Sequence, residues 1–279
     1  MGWFAAVTLL LGGALTMSIA TTNDAAAAPG STTDVAFTSA WDGTTQRYVT
    51  VTFPGVRAGA DALIVLHGHG ADRWQYVREK RGETAGARAI ARRYGLLYVA
   101  PDYRGASWMG PAAEADLVQI ITELRRSRGV RRVFLAGGSM GGTAALIFAG
   151  RHPELIAGVA SANGTANLLA YDAYLEAHPL LDIRAAIHAA YGGPPSVVPE
   201  VYRERSPELR PERFTMPVAI TCGGRDALVP PDSVRRLATR LQRLDRRVLI
   251  IDRPEGGHET NQADTEASLE FILRSAQVP

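Results

Sequence analysis

The stretch LAGGSMGGTAAL, residues 135–146, sets Gly137, Gly138, Gly141 and Gly142 around Ser139. It continues the strand-length apolar run that starts at Val133 and Phe134 and precedes a helical pattern from Met140 to Arg151. Two readings compete: a tight strand-to-helix turn that needs only small residues, or a turn that holds Ser139 up as a nucleophile. Gly137 to Gly141 fits G-x-S-x-G in the strand, turn, helix setting that the pattern requires. A nucleophile on a strained backbone needs neighbours without bulky side chains. The N–H of Met140, at the helix start, would then face an oxyanion formed on acyl attack. Gly and Ser are common, so the pentapeptide alone leaves both readings open.

Working outward, apolar runs of strand length recur at 62–68, 96–102, 131–138, 156–164, 217–224 and 246–254. Nearly continuous apolar runs suit strands buried on both faces. Helical spacing fills the intervals 74–94, 112–128, 140–151, 232–244 and 260–276. Strand and helix alternating in this way predict an α/β fold, a mostly parallel central sheet with helices on both faces. Ahead of it, DVAFTSAWDGTTQRYVTVTF reads as two strands joined at Asp42-Gly43. One interval breaks the rhythm: residues 168–214 are too long for a simple crossover, carry Gly-Pro punctuation and two short helical patterns, and read as a small cap-like insertion.

In such sheets ligands bind beyond the carboxyl ends of the strands, so a base for Ser139 belongs there. Of the six histidines, only His258 lies on a Gly-rich loop between the last strand and the last helix. His152 ends the helix after the serine, and His178 and His188 fall in the insertion. A carboxylate should orient the imidazole. Asp226, after the penultimate strand in CGGRDALVPP, is placed to do so; Asp232, read as a helix N-cap, and Asp252, at a strand end, compete with it. LHGHG puts His69 and Gly70 just past the first parallel strand, where a backbone N–H, best that of His69, can serve as the second oxyanion donor. Reading H-x-H as a metal pair finds no further ligands.

The composition bounds the rest. A chain of 279 residues with 46% hydrophobic content can bury one large core. The net charge is +2, the arginines are scattered and Lys80 is the lone lysine. No basic stripe with interleaved aromatics is present, so no nucleic-acid partner is expected. Cys222, the single cysteine, excludes an intramolecular disulfide and reads as a core residue. Residues 1–28 have the layout of a secretory signal peptide, an apolar stretch and then an alanine tract. Export to a secreted or periplasmic location is therefore expected, without stable membrane association once the leader is cleaved. An uncleaved anchor competes, because the stretch approaches the roughly 20 residues of a span.

Together LHGHG, DYRG (102–105), GGSMGG, RHPE (151–154), YRERSP (202–207), GGRDALVPP and GGHE resemble the α/β-hydrolases, specifically single-domain esterases similar to the prolyl-oligopeptidase catalytic domain. The resemblance runs from Asp34 to Gln277. It implies the α/β-hydrolase fold over 29–279, with Ser139 as nucleophile, Asp226 as acid, His258 as base, and oxyanion amides at Met140 and His69. Its order of Ser, Asp, His favours Asp226 over its rivals. No β-propeller precedes ALIVLHG, and on that ground an ester substrate is expected over a peptide. Acyl or feruloyl esters of polysaccharides and short-chain esters fit, with Trp108, Tyr103 and Gly70 expected to line the substrate site. No cofactor or metal is called for. A serine peptidase or amidase, an acyl transferase, or a non-catalytic binding protein on the same fold stand as alternatives.

Overall fold

The computed structural model describes residues 30–277 apart from 81 and 181; the expected leader lies outside the described residues. β1 (Ser31–Thr38) and β2 (Thr45–Thr52) pair antiparallel, with Ser31 opposite Thr52 and Thr38 opposite Thr45. Asp42 and Gly43 fall in their connection, 39–44, which is closed by Ser39 N–H on the Thr44 carbonyl at 2.8 Å. Then follow β3 (Ala62–Leu66), β4 (Leu97–Pro101), β5 (Val133–Gly138), β6 (Gly158–Ala162), β7 (Val218–Gly223) and β8 (Val248–Arg253). The sheet order is β1-β2-β4-β3-β5-β6-β7-β8, parallel from β4 to β8, with β2 antiparallel to β4.

The interior runs are apolar throughout because each strand feeds two cores. Successive side chains point to opposite faces. Leu63, Val65, Phe134 and Ala136 pack with Ala87, Ile90, Leu269 and Ile272 on one side. Ile64, Leu66, Val133 and Leu135 pack with Leu117, Ile121, Leu146 and Leu237 on the other. Fully burying one such large side chain stabilises by about 1.5–3 kcal/mol. The helices supplying these partners are α2 (Gly82–Arg93) and α9 (Gln262–Ser275) on the first face, and α3 (Pro111–Arg128), α4 (Met140–Arg151) and α8 (Asp232–Arg243) on the second. Local sequence sets their ends: α3 opens on Pro111, carries Arg125, Arg126 and Arg128 in its last turn, and stops at Gly129 with φ 66°.

Two expectations are corrected. The helical interval 74–94 is two helices, α1 (Gln75–Arg78) and α2, because Glu79 turns extended at ψ 139°. Arg88 donates to the carbonyls of Tyr76 and Glu79, satisfying groups that the break exposes. Residues 168–214 hold three helices instead of two, α5 (Leu168–Ala177), α6 (Ile183–Tyr191) and α7 (Pro199–Glu204), then short 3₁₀ turns at Pro207–Leu209 and Pro211–Arg213. Helix α7 spans only 6 residues, too few for an apolar period to be legible. Among the described residues no helix is long and apolar enough to cross a membrane.

Candidate active site

β5 runs up the middle of the sheet and ends at Gly138; α4 begins at Met140. Ser139 between them has φ 56° and ψ −122°, a conformation that costs a residue bearing Cβ on the order of 1–3 kcal/mol. Its surroundings impose it. The Ser139 N–H donates to Ala162 O at 2.8 Å, and the N–H of Thr143 donates to Ser139 O at 3.0 Å. A Cβ at position 141 would stand 2.0 Å from Leu66 O, and one at 137 would stand 2.5 Å from the Gly141 carbonyl carbon. Backbone passes against backbone here, so only glycine fits.

The loop after β8 brings His258 over this turn. Its Nε2 lies 2.9 Å from Ser139 Oγ and its Nδ1 lies 2.7 Å from Asp226 Oδ2. The other oxygen of Asp226 accepts the N–H groups of Leu228 (2.9 Å) and Val229 (2.8 Å), and the carboxylate is almost wholly buried. With those donors satisfying Oδ1, Oδ2 is left to accept Nδ1–H. That fixes the tautomer whose Nε2 accepts the serine proton. The two loops also brace one another: Gly224 N–H donates to Arg253 O and Arg225 N–H to Gly256 O, each at 2.8 Å. The rival carboxylates are elsewhere. Asp252 is clamped by Arg235 through two bonds of 2.8 and 2.9 Å, and Asp232 is the first residue of α8, where no side-chain cap bond forms.

On the opposite side, the loop after β3 is stiffened by its own contacts. His67 is buried, its ring nitrogens 2.8 Å from Gly68 O and 3.0 Å from Asp102 O. Gly68 N–H is occupied by Gln75 Oε1 at 2.8 Å, whereas the N–H groups of His69, Gly70 and Met140 meet no acceptor among the described residues. The His69 ring points away from the serine chemistry: Trp108 Nε1–H donates to its Nδ1 (3.3 Å) and its Nε2–H donates to Asp182 (2.8 Å). That hydrogen bond holds the exposed Asp182 carboxyl below its usual range.

Trp108 and Tyr103, expected at the substrate site, are corrected: they are 0% and 3% exposed and offer a ligand no surface. Both brace the loop after β3, Tyr103 by donating its hydroxyl to His67 O at 2.5 Å. Gly70 is exposed beside them. Several contributors escaped sequence reasoning. Tyr171 and Tyr174, one turn apart on α5, donate to Leu228 O (3.1 Å) and Ala227 O (2.5 Å), pinning the loop that bears Asp226. Asn163, at φ 49° after β6, donates to Glu259 O at 3.0 Å and holds the loop of His258. The SANG segment carried that signal, since Asn tolerates positive φ. The tyrosines carried none.

The fold and the hydrogen-bonded Ser, His, Asp chain define a serine hydrolase with the α/β-hydrolase fold. Residues 86–277 match the model of the prolyl oligopeptidase family, and the chain belongs to that family. A search of curated proteins gave no match. Among solved structures, FphF, a fluorophosphonate-binding serine hydrolase of Staphylococcus aureus, is similar at a TM-score of 0.66 and 18% identity, over 88% of this chain and 99% of that one. S-formylglutathione hydrolase (FrmB) of the same organism gives 0.66 and 16%, over 87% and 99%. The acylaminoacyl peptidase of Pyrococcus horikoshii gives 0.67 and 17%, over 90% of this chain but 43% of that chain. At these identities the likeness is one of fold.

Proposed function

We propose that the protein is a carboxylic-ester hydrolase that acts through an acyl-enzyme on Ser139. The observation that carries this reading is the chain of 2.9 and 2.7 Å contacts from Ser139 Oγ through His258 to Asp226. As Oγ attacks the ester carbonyl carbon, its proton passes to His258 Nε2. The imidazolium forms against Asp226, and the carbonyl oxygen becomes an oxyanion facing the N–H of Met140, with His69 N–H as second donor. Collapse expels the alcohol, which takes the proton from Nε2. Water then repeats the sequence, giving its proton to Nε2 and its oxygen to the acyl carbon, and on collapse the C–Oγ bond breaks, Ser139 Oγ takes the proton back from Nε2 and the acid leaves.

The preference for an ester draws support from the compact relatives, FphF and S-formylglutathione hydrolase, each matched over 99% of its chain. The S. aureus enzyme's thioester is chemically close to an oxygen ester. Family membership favours a second reading, a peptidase or amidase. Short-chain acyl esters and esters borne on polysaccharides are the substrates we favour, met after export directed by residues 1–28.

Initial rates on p-nitrophenyl acetate, butyrate and octanoate, set beside an acyl p-nitroanilide, test this. Ester turnover should exceed amide turnover and fall by at least about 10³-fold in Ser139→Ala with Tm unchanged. Faster cleavage of the anilide would establish the peptidase reading. Equal inactivity of both proteins on every substrate would leave a binding protein.

A further inference from the structure

Helix α6 is tied at both ends to one small unit beside the expected oxyanion hole. At its start, Asp182 Oδ1 accepts the Nε2–H of His69 at 2.8 Å. At its end, the hydroxyl of Tyr191 donates to Trp108 O at 2.8 Å. The indole of Trp108 closes the circuit by donating Nε1–H to His69 Nδ1 at 3.3 Å. Alongside, Gly110 passes the carbonyl of Ala190 so closely that a Cβ on it would stand 2.6 Å from that oxygen. Trp108 and Met109 both stand at positive φ, 48° and 55°, and such strained residues persist only where their surroundings over-determine them. The Asp182 side chain is 79% exposed and caps no N–H of α6. Its carboxylate is turned instead to the ring of a residue 113 positions earlier.

We propose that Asp182 is a positioning residue for the oxyanion donor: acting through the His69 ring, it holds the main-chain N–H of His69 in place, so that the segment 168–214 steadies the oxyanion hole without touching the substrate. The inference rests on the hydrolase reading of Ser139, with His69 N–H as the second donor.

The peptide joining Gly68 to His69 is planar, so its N–H points opposite its carbonyl. The loop itself holds the carbonyl end: Gly68 O accepts Ala71 N–H at 3.2 Å and lies 2.8 Å from His67 Nδ1, while Gly68 N–H meets Gln75 Oε1 at 2.8 Å. Beyond the Cα of His69 comes Gly70, exposed and at φ 77°, whose N–H meets no acceptor among the described residues. Glycine leaves the chain free to turn there. The side chain of His69 is therefore the anchor on that side. Its two ring nitrogens are engaged in opposite senses. The Trp108 N–H is a donor only, so Nδ1 presents its lone pair and the ring proton sits on Nε2, aimed at Asp182. Trp108 is fully buried, and an indole N–H left there without an acceptor is costly. With the ring pinned on both sides, its torsions are fixed, and the main-chain N–H can meet an oxyanion without reorganising.

The test compares kcat and KM on p-nitrophenyl acetate for the wild type, Asp182→Ser, Asp182→Asn and His69→Ala, the last of which keeps its main-chain N–H. Serine is a favoured residue before a helix, so Asp182→Ser preserves the start of α6 while its short hydroxyl falls short of the His69 ring. It should lower kcat about 10-fold, less than the roughly 10²–10³-fold that loss of a whole oxyanion donor costs, with KM and Tm unchanged. The Ki of a trifluoromethyl ketone, which adds to Ser139 Oγ as a tetrahedral oxyanion, should rise by a similar factor. Asp182→Asn keeps an oxygen that accepts Nε2–H and should hold kcat to within about threefold of the wild type. His69→Ala should lower kcat at least as far as Asp182→Ser, and in that background Asp182→Ser should change kcat by less than about twofold. The Trp108 indole N–H resonance, assigned by its loss in Trp108→Phe, should shift in Asp182→Ser and return in Asp182→Asn.

A kcat for Asp182→Ser equal to that of the wild type overturns the proposal. So does a change confined to KM, which would make Asp182 a substrate contact. An equal fall in Asp182→Asn would make charge the agent in place of the hydrogen bond, and a fall of the same size in the wild-type and His69→Ala backgrounds would remove the ring as intermediary; either result overturns it too. Should Asp182→Ser fail to fold, His69→Ala carries the test, and a kcat equal to the wild type there has the same consequence. The two readings fail separately. A wild type inert on every ester sinks the hydrolase reading and this proposal with it, whereas an active wild type matched by its Asp182→Ser variant sinks the proposal alone.

Discussion

The turn at Ser139 and the helical segment 168–214, whose α5 reaches the loop of Asp226, are held by different forces. Around Ser139 the constraint is main chain against main chain, at distances that leave no room for a methyl group at positions 137 or 141. The segment 168–214 is instead tethered by side-chain hydrogen bonds. Tyr171 and Tyr174 reach the loop of Asp226, Tyr191 donates to Trp108 O at 2.8 Å, and the buried Arg205 donates to Met109 O at 2.9 Å and pairs with Glu114. A steric constraint is lost all at once, whereas a neutral hydrogen bond contributes about 1 kcal/mol and can be traded for another. The contrast separates a constraint that no side chain can replace from one that substitution can retune.

Three experiments would break or sharpen this contrast. The largest effect is expected from Gly141→Ala, whose Cβ collides with Leu66 O, a main-chain atom of β3 that cannot move without moving the strand. Destabilisation of about 4 kcal/mol or more, read by urea denaturation, follows from overpacking with no route for relief. A fully active, stable Gly141→Ala protein would refute the steric account.

Next comes a cost built into the underside of the turn. The Glu83 carboxyl is raised from 4.5 to about 7 in the folded protein. A raised acid gives its full stabilisation below the unfolded value and loses it as pH climbs through the folded one. Between pH 4.5 and pH 7 the fold should therefore lose up to about 3 kcal/mol through this group. Denaturation of the wild type and Glu83→Gln at pH 5 and pH 8 should show a gap between them that shifts in favour of the variant at the higher pH. A gap independent of pH would contradict the burial argument.

The smallest effect belongs to the tethers. Tyr171→Phe and Tyr174→Phe each delete one hydroxyl donor to the loop of Asp226 and should each cost about 1 kcal/mol. Because that loop orients His258, kcat should fall several-fold with KM nearly constant. Changes confined to KM would mean that α5 shapes the substrate site and does not steady the acid.

Legibility in the sequence followed the same division. Strands 62–66, 133–138 and 218–223 were readable because burial on both faces demands an unbroken apolar run. Ser139 and His258 were readable because the elbow constrains its neighbours to glycine and because the base must follow a parallel strand, whereas Asp226 was set apart from Asp232 and Asp252 only by the order that the resemblance implies. Trp108 and Tyr103 misled for a physical reason: an aromatic residue after a strand end can face the cleft or brace the loop beneath it, and composition is the same in both cases. Glu83 was invisible. Nothing in GETAGARAIARR distinguishes a surface glutamate in a first helical turn from one whose carboxyl is driven under the neighbouring strand. The tyrosines of α5 were equally silent, since their acceptors lie 57 and 53 residues away.

The base reaches the serine late along the chain. Ser139 and His258 are 119 residues apart, while the strands and the carbonyl that shape the turn, β3, β5 and Ala162, all precede residue 163. In a chain emerging from its N-terminus, the residues that shape the elbow are therefore all present while its serine is still an inert alcohol. Only when β8 joins the sheet edge and α9 settles against α2 does Ser139 acquire a proton acceptor. Hydrolysis of an activated ester thus doubles as a report on the C-terminal third of the chain, since Ser139 has its proton acceptor only when the loop after β8 is in place.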